Sequence, residues 1–142
     1  MIEKKSEYTI DEIYIGQKTQ FNIIITEDMI NEFAKLSGDY NPLHMDENYG
    51  QTSKFGKRIC HGMLLAGFFS RLVGMYLPGK NSLCFSQSLN FISPCFINDE
   101  IVVIGEVINK SPSSKIITLK TTIHNLNGQK LVKGEAKVIM RK

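Results

Sequence analysis

Asp39, Asn41 and His44 fall within six residues of one another, in the run LSGDYNPLH from Leu36 to His44. Pro42 stiffens the chain between them. A carboxylate and an imidazole five positions apart can converge on one water molecule. One group can take its proton while the other orients it or returns a proton. Asn41 can hold the loop, or an acid, by its amide. A capped helix end beside a solvated histidine would give the same pattern.

A second segment, ICHGMLL, runs from Ile59 to Leu65. Gly62 stands where a helix should open. The first N–H groups of a helix lack internal partners and lie at the positive end of its dipole. They can receive an anion or a developing oxyanion. Glycine also lets a ligand approach the backbone closely. A turn that merely requires glycine is the alternative. His61 reads as structural and His124 as facing solvent. Neither has a Cys or His at ligand spacing, so no metal site is expected. Cys60, Cys84 and Cys95 are odd in number and show no Cys-x-x-Cys spacing, which points to buried, reduced thiols in a cytosolic protein.

The elements that must position these residues follow from caps and periodicity. Thr19 to Ile25 reads as a short strand. Thr26 can cap a helix carrying Glu27 and Asp28 in its first turn, with Met29, Ile30, Phe33 and Ala34 on one face. Gly38 stops it. Residues 39–45 read as a loop and 46–53 as a short helix. Gly62 to Tyr76 is the central helix, apolar almost all round and therefore expected to be buried within a sheet. Four strand segments follow: Leu83 to Phe91, Ile101 to Ile108, Ile117 to Ile123, and Lys130 to Met140. Asn127-Gly128 is a hairpin turn into the last. The fold class is α+β, with a long buried helix wrapped by a curved antiparallel sheet of about five strands.

The chain has 142 residues, of which 42% are hydrophobic and 22% charged, with a net charge of +3. That is one soluble domain over 1–142, with residues 1–12 expected to be loose. No basic stripe supports nucleic-acid binding, and no segment is apolar enough to be a signal peptide or membrane span.

LSGDYNPLH, followed by HGMLLAGFFSRLVGMYLPG, FSQSLNFISPCFINDEI and GEAKV, resembles the MaoC-like, R-specific enoyl-CoA hydratase (hydratase 2) family. The resemblance runs from about Ile13 to Met140. The first motif has the family form Gly-Asp-x-Asn-Pro-x-His, without departure at its key positions. The resemblance implies a hot-dog fold, a cytoplasmic homodimer, and an acyl tunnel near the subunit interface. It implies Asp39 and His44 as the catalytic pair, the Gly62 N–H as oxyanion donor, and Asn41 and Ser70 as supporting residues. Ser70 would support the aspartate. The implied reaction is reversible hydration of a trans-2-enoyl-CoA to an R-3-hydroxyacyl-CoA, with coenzyme A as part of the substrate and no cofactor or metal. Lys54, Lys57 and Arg58 could meet its phosphates, or form a solvated loop. Leu64, Phe68, Met75, Leu83, Phe85 and Phe91 could line the acyl tunnel, or be plain core. Two other readings stay open: a dehydratase or thioesterase of the same fold acting on carrier-protein thioesters, and a non-catalytic acyl-thioester binding module.

Overall fold

Helix α1, Glu27–Ser37, begins at Thr26, whose Oγ1 accepts the Met29 N–H at 3.2 Å in the computed structural model, which describes residues 4–142. It ends at Gly38, which takes the left-handed conformation (φ 81°) that glycine adopts without strain. Two short helices follow, α2 (Pro42–Met45) and α3 (Glu47–Thr52), capped by the side chains of Asn41 and Asp46. The stretch expected to be an open loop is thus partly helical, because Asn41 caps it and Pro42 pre-sets its first turn.

Helix α4, Gly62–Arg71, continues into a π-helical turn, Leu72–Tyr76. It lies across one antiparallel sheet of β1 (Lys18–Ile24), β2 (Ser82–Gln87), β3 (Asn90–Phe91), β4 (Glu100–Ser111), β5 (Ile116–Asn125) and β6 (Lys130–Met140). The strand order is β1-β4-β5-β6-β2, with β3 also on β6. This is the expected hot-dog arrangement, with six strands where about five were read.

The period-2 pattern sets the inner face. Ile101, Val103 and Val107 of β4, Ile117, Leu119 and Ile123 of β5, and Val132, Ala136 and Val138 of β6 are all buried. Leu65, Phe69, Leu72 and Val73 of the helical stretch pack into them. Gly105 is the seat of the helix, since a Cβ there would lie 2.8 Å from Leu72 Cδ2. Register shifts interrupt the β2–β6, β4–β5 and β5–β6 pairings. Such bulges bend strands and help a sheet curl.

Five expectations need correction. Leu83 to Phe91 is two strands rather than one. The chain breaks at Ser88, whose N–H donates to the Glu135 carbonyl and whose own carbonyl passes too close to Gly134 to admit a Cβ. The long helix is not buried all round. Met63 is 56% exposed, and Gly67 and Ser70 are exposed beside Leu83. One sheet covers one side of a helix, and in a single chain the other side stays open. His124 is half-buried, with Nδ1 2.8 Å from the Asn125 carbonyl. Cys60 and Cys95 are buried as expected, but Cys84, on β2, is exposed. Residues 6–12 are docked rather than loose: Ser6 N–H donates to the Met75 carbonyl at 2.9 Å and Ile10 is buried. Residues 1–3 lie outside the described residues. Among the described residues no helix is long and apolar enough to cross a membrane.

Candidate active site

The 39–44 loop and the turn before α4 are stitched together by side chains that bond backbone. Arg58 is 7% exposed; its Nε donates to the His44 carbonyl at 2.7 Å and its Nη1 pairs with Glu27 at 2.9 Å. Ile59 N–H donates to the Leu43 carbonyl, and Cys60 N–H to the Cys95 carbonyl at 2.7 Å. Arg58 is therefore a brace of the loop rather than a phosphate ligand or a solvated charge. Lys57 lies over the Phe96 ring at 4.3 Å, while Lys54 lines the cavity described below.

Asp39 is exposed. Its Oδ1 accepts the Asn41 N–H at 3.1 Å, and Asn41 Oδ1 in turn accepts the Leu43 N–H at 3.0 Å. Asn41 thus fixes the loop by capping α2. His44 Nδ1 lies 2.9 Å from the Ile59 carbonyl. A carbonyl can only accept, so Nδ1 carries the hydrogen, and the neutral ring keeps its lone pair on Nε2.

His61 sits beneath both. It is 1% exposed, its Nε2 donates to the Asp39 carbonyl at 3.0 Å, and its ring lies 4.1 Å from that of His44 at 32°. The polar side-chain atoms of Asp39, His44 and His61 come within 4.8 Å of one another. One water about 2.8 Å from each of two such atoms can bridge that gap.

A cavity of about 450 Å³ opens beside them. His44, Gly62, Met63, Leu65, Phe91, Leu131 and Val132 line it, with the free thiols Cys60 and Cys95. Hydrogen bonding to Cys95, together with burial, pushes the Cys60 thiol well above the usual range, so it stays protonated and forms part of an apolar wall. Gly62 is the first residue of α4, so its N–H is among those with no partner inside the helix. Apolar walls with one polar corner suit an acyl group whose polar end is handled at that corner.

The structure thus brings Asp39 to His44, which lines the cavity with Gly62, and Asn41 holds the loop between them. It does not bring Ser70 to them. Ser70 follows Gly62 by about 12 Å along α4 and lines a separate cavity of about 660 Å³ with Met63, Gly67, Val73, Gly74 and Leu83. Within one chain it makes no hydrogen bond to Asp39, so support of the aspartate by Ser70 is not seen there. Of the residues proposed for an acyl tunnel, Phe91 lines the first cavity and Leu83 the second, while Leu64 and Phe68 pack on the core.

Burial lowers the pKa of His61 and the nearby His44 and Arg58 add to this, against the opposing hydrogen bond and charge of Asp39. The unfolded chain then binds more protons than the native one below a pH of about 6.5. Native stability is expected to fall as pH drops from neutral toward 5. Urea midpoints measured across that range should fall less for His61→Phe, which cannot titrate; an equal fall would reject this assignment.

A family model described as the MaoC like domain matches residues 12–128. The (R)-specific enoyl-CoA hydratase of Aeromonas caviae is 42% identical over 87% of this chain and 92% of its own length. The unliganded R-hydratase of Pseudomonas aeruginosa superposes with a TM-score of 0.90 at 34% identity, covering 94% of this chain and 86% of that one. A mitochondrial 3-hydroxyacyl-[acyl-carrier-protein] dehydratase of Arabidopsis thaliana is 31% identical over 89% of this chain and 76% of its own length.

Proposed function

The chain belongs to the MaoC-like domain family, and from that premise we propose that it is an R-specific enoyl-CoA hydratase. It adds water reversibly to a trans-2-enoyl-CoA and yields an R-3-hydroxyacyl-CoA. The observation that carries this reading is the meeting of Asp39 and His44 within water-bridging distance, with His44 and Gly62 both lining a largely apolar cavity.

The thioester carbonyl rests against the Gly62 N–H at the start of α4. Water held between Asp39 and His44 attacks the β-carbon, and charge develops on the thioester oxygen. The helix N-terminus stabilises that charge, a contribution worth on the order of 3 kcal/mol per donor. The water's hydroxyl goes to the β-carbon, and its proton passes through the Asp39–His44 pair to the α-carbon. Coenzyme A is part of the substrate, and the step draws on no cofactor or metal. The reading includes a cytoplasmic setting and a second copy of the chain covering the open face of α4, where Met63 and Leu83 are exposed.

The test is hydration of crotonyl-CoA by purified protein, with product stereochemistry determined. Formation of R-3-hydroxybutyryl-CoA is expected. The Arabidopsis relative's name favours one second reading, a dehydratase of carrier-protein thioesters. Activity on acyl groups held by carrier protein, with none on coenzyme A, would support that instead. Inactivity on both would favour the binding module.

A further inference from the structure

His61 is absent from the lining of the active-site cavity, yet it touches each part of the machinery. Its Nε2–H holds the Asp39 carbonyl, its ring faces His44, and it is the residue before Gly62 at the start of α4. The Phe33 ring packs edge-on against it at 4.8 Å and 64°, so the imidazole is clamped between α1 and the loop. Its Nδ1 is buried without a hydrogen-bond partner among the described residues. A buried polar atom with no partner carries a desolvation cost. A phenylalanine would fill the space without that cost. A histidine kept there at such a cost must be supplying something through its other nitrogen.

We propose that His61 is the positioning residue of this site: a neutral imidazole, packed against the His44 ring, whose Nε2–H fixes the backbone of Asp39. The proposal rests on the hydratase reading above. His61 acts through Asp39 and His44 and does not touch substrate. Neutrality is part of the role, because protonation would put a hydrogen on Nδ1 where nothing accepts it, and a positive charge against His44. The groups facing it are His44, Asp39 and Arg58, the last two paired with or bonded to the loop.

Three variants separate positioning from mere structure. His61→Gln can place an amide N–H near the position of Nε2. His61→Asn places it nearer Nδ1, and His61→Phe keeps the ring's bulk with no donor. The assay is steady-state hydration of crotonyl-CoA, with unfolding midpoints recorded for each protein. The Phe and Asn variants are expected to lose tenfold or more in kcat, since misplacing reacting groups by about 1 Å costs on the order of a hundredfold. KM should stay near that of wild type, since His61 lies outside the cavity. The Gln variant is expected to recover most of the loss, whatever its stability. If Gln and Asn are equally impaired, or if activity simply follows the unfolding midpoint, the proposal is overturned. Should the Phe variant fail to fold, the Gln and Asn pair still decides. Inactive Asp39→Asn and His44→Ala beside fully active His61 variants would overturn only this assignment. Active Asp39→Asn and His44→Ala would overturn the hydratase mechanism and this assignment with it.

Discussion

Asp39→Asn and His44→Ala are each expected to lower hydration of crotonyl-CoA by two to four orders of magnitude, the usual worth of a positioned acid or base of about 10²–10⁴. The fold should survive both. In Asp39→Asn the side-chain amide still offers an oxygen to the Asn41 N–H, which Asp39 Oδ1 now accepts, and the position is exposed. His44→Ala loses one hydrogen bond to the Ile59 carbonyl and one ring contact with His61, about 1 kcal/mol for the bond. The two changes together should cost far less than the product of the single losses, because both groups address the same water. The residual rate would come from the helix terminus and from binding. Near-wild-type turnover in either single variant would remove that residue from the mechanism; multiplicative losses would show that the two act on different steps.

The cluster of Asp39 and His44 was legible because both share one short loop with Asn41. Spacing alone brings Asp39 and His44 together once Asn41 and Pro42 shape the turn between them. Helix boundaries at Thr26 and Gly38 were legible for the same reason: a cap is a local event, written in residues that touch. His61 and Arg58 were not legible in their roles. Each bonds a main-chain carbonyl, of Asp39 and His44 respectively, 22 and 14 residues away in sequence. Every residue offers a carbonyl, so residue type cannot announce which one will be bonded. The only available signal was an arginine and a histidine in the turn just before an apolar helix. The central helix was read as buried all round because composition counts apolar residues without saying how many faces one sheet can cover. The break at Ser88 depends on Gly134, far along the chain on β6. The alternation of Leu83, Phe85, Leu89 and Phe91 carries no trace of that crossing.

Gly62→Ala is the second change with a large expected effect, and it should separate activity from stability. Gly62 opens α4 with an ordinary backbone conformation, as it is absent from the positive-φ glycines. Alanine there should leave the unfolding midpoint unchanged or raise it, since replacing glycine in a compatible conformation contributes about 0.4–1 kcal/mol. The N–H is retained, so the donor itself is not lost. The added Cβ, however, would lie 2.8 Å from two atoms of the Phe91 ring, which lines the same cavity. That ring is 52% exposed and sits on the two-residue strand β3, so it can swing away more easily than the sheet beneath can yield. A displaced ring changes the wall against which the acyl group is held, and a shift of about 1 Å in a reacting group costs on the order of a hundredfold. The expected result is therefore about a hundredfold lower kcat/KM for crotonyl-CoA in a protein at least as stable as wild type. Phe91→Ala added to Gly62→Ala should restore at least tenfold of that, because it removes the atoms the Cβ meets. Full activity in Gly62→Ala would mean that the thioester does not lie against this helix start. Loss without rescue would mean that the Cβ obstructs the carbonyl directly, and that glycine is required by the substrate rather than by Phe91.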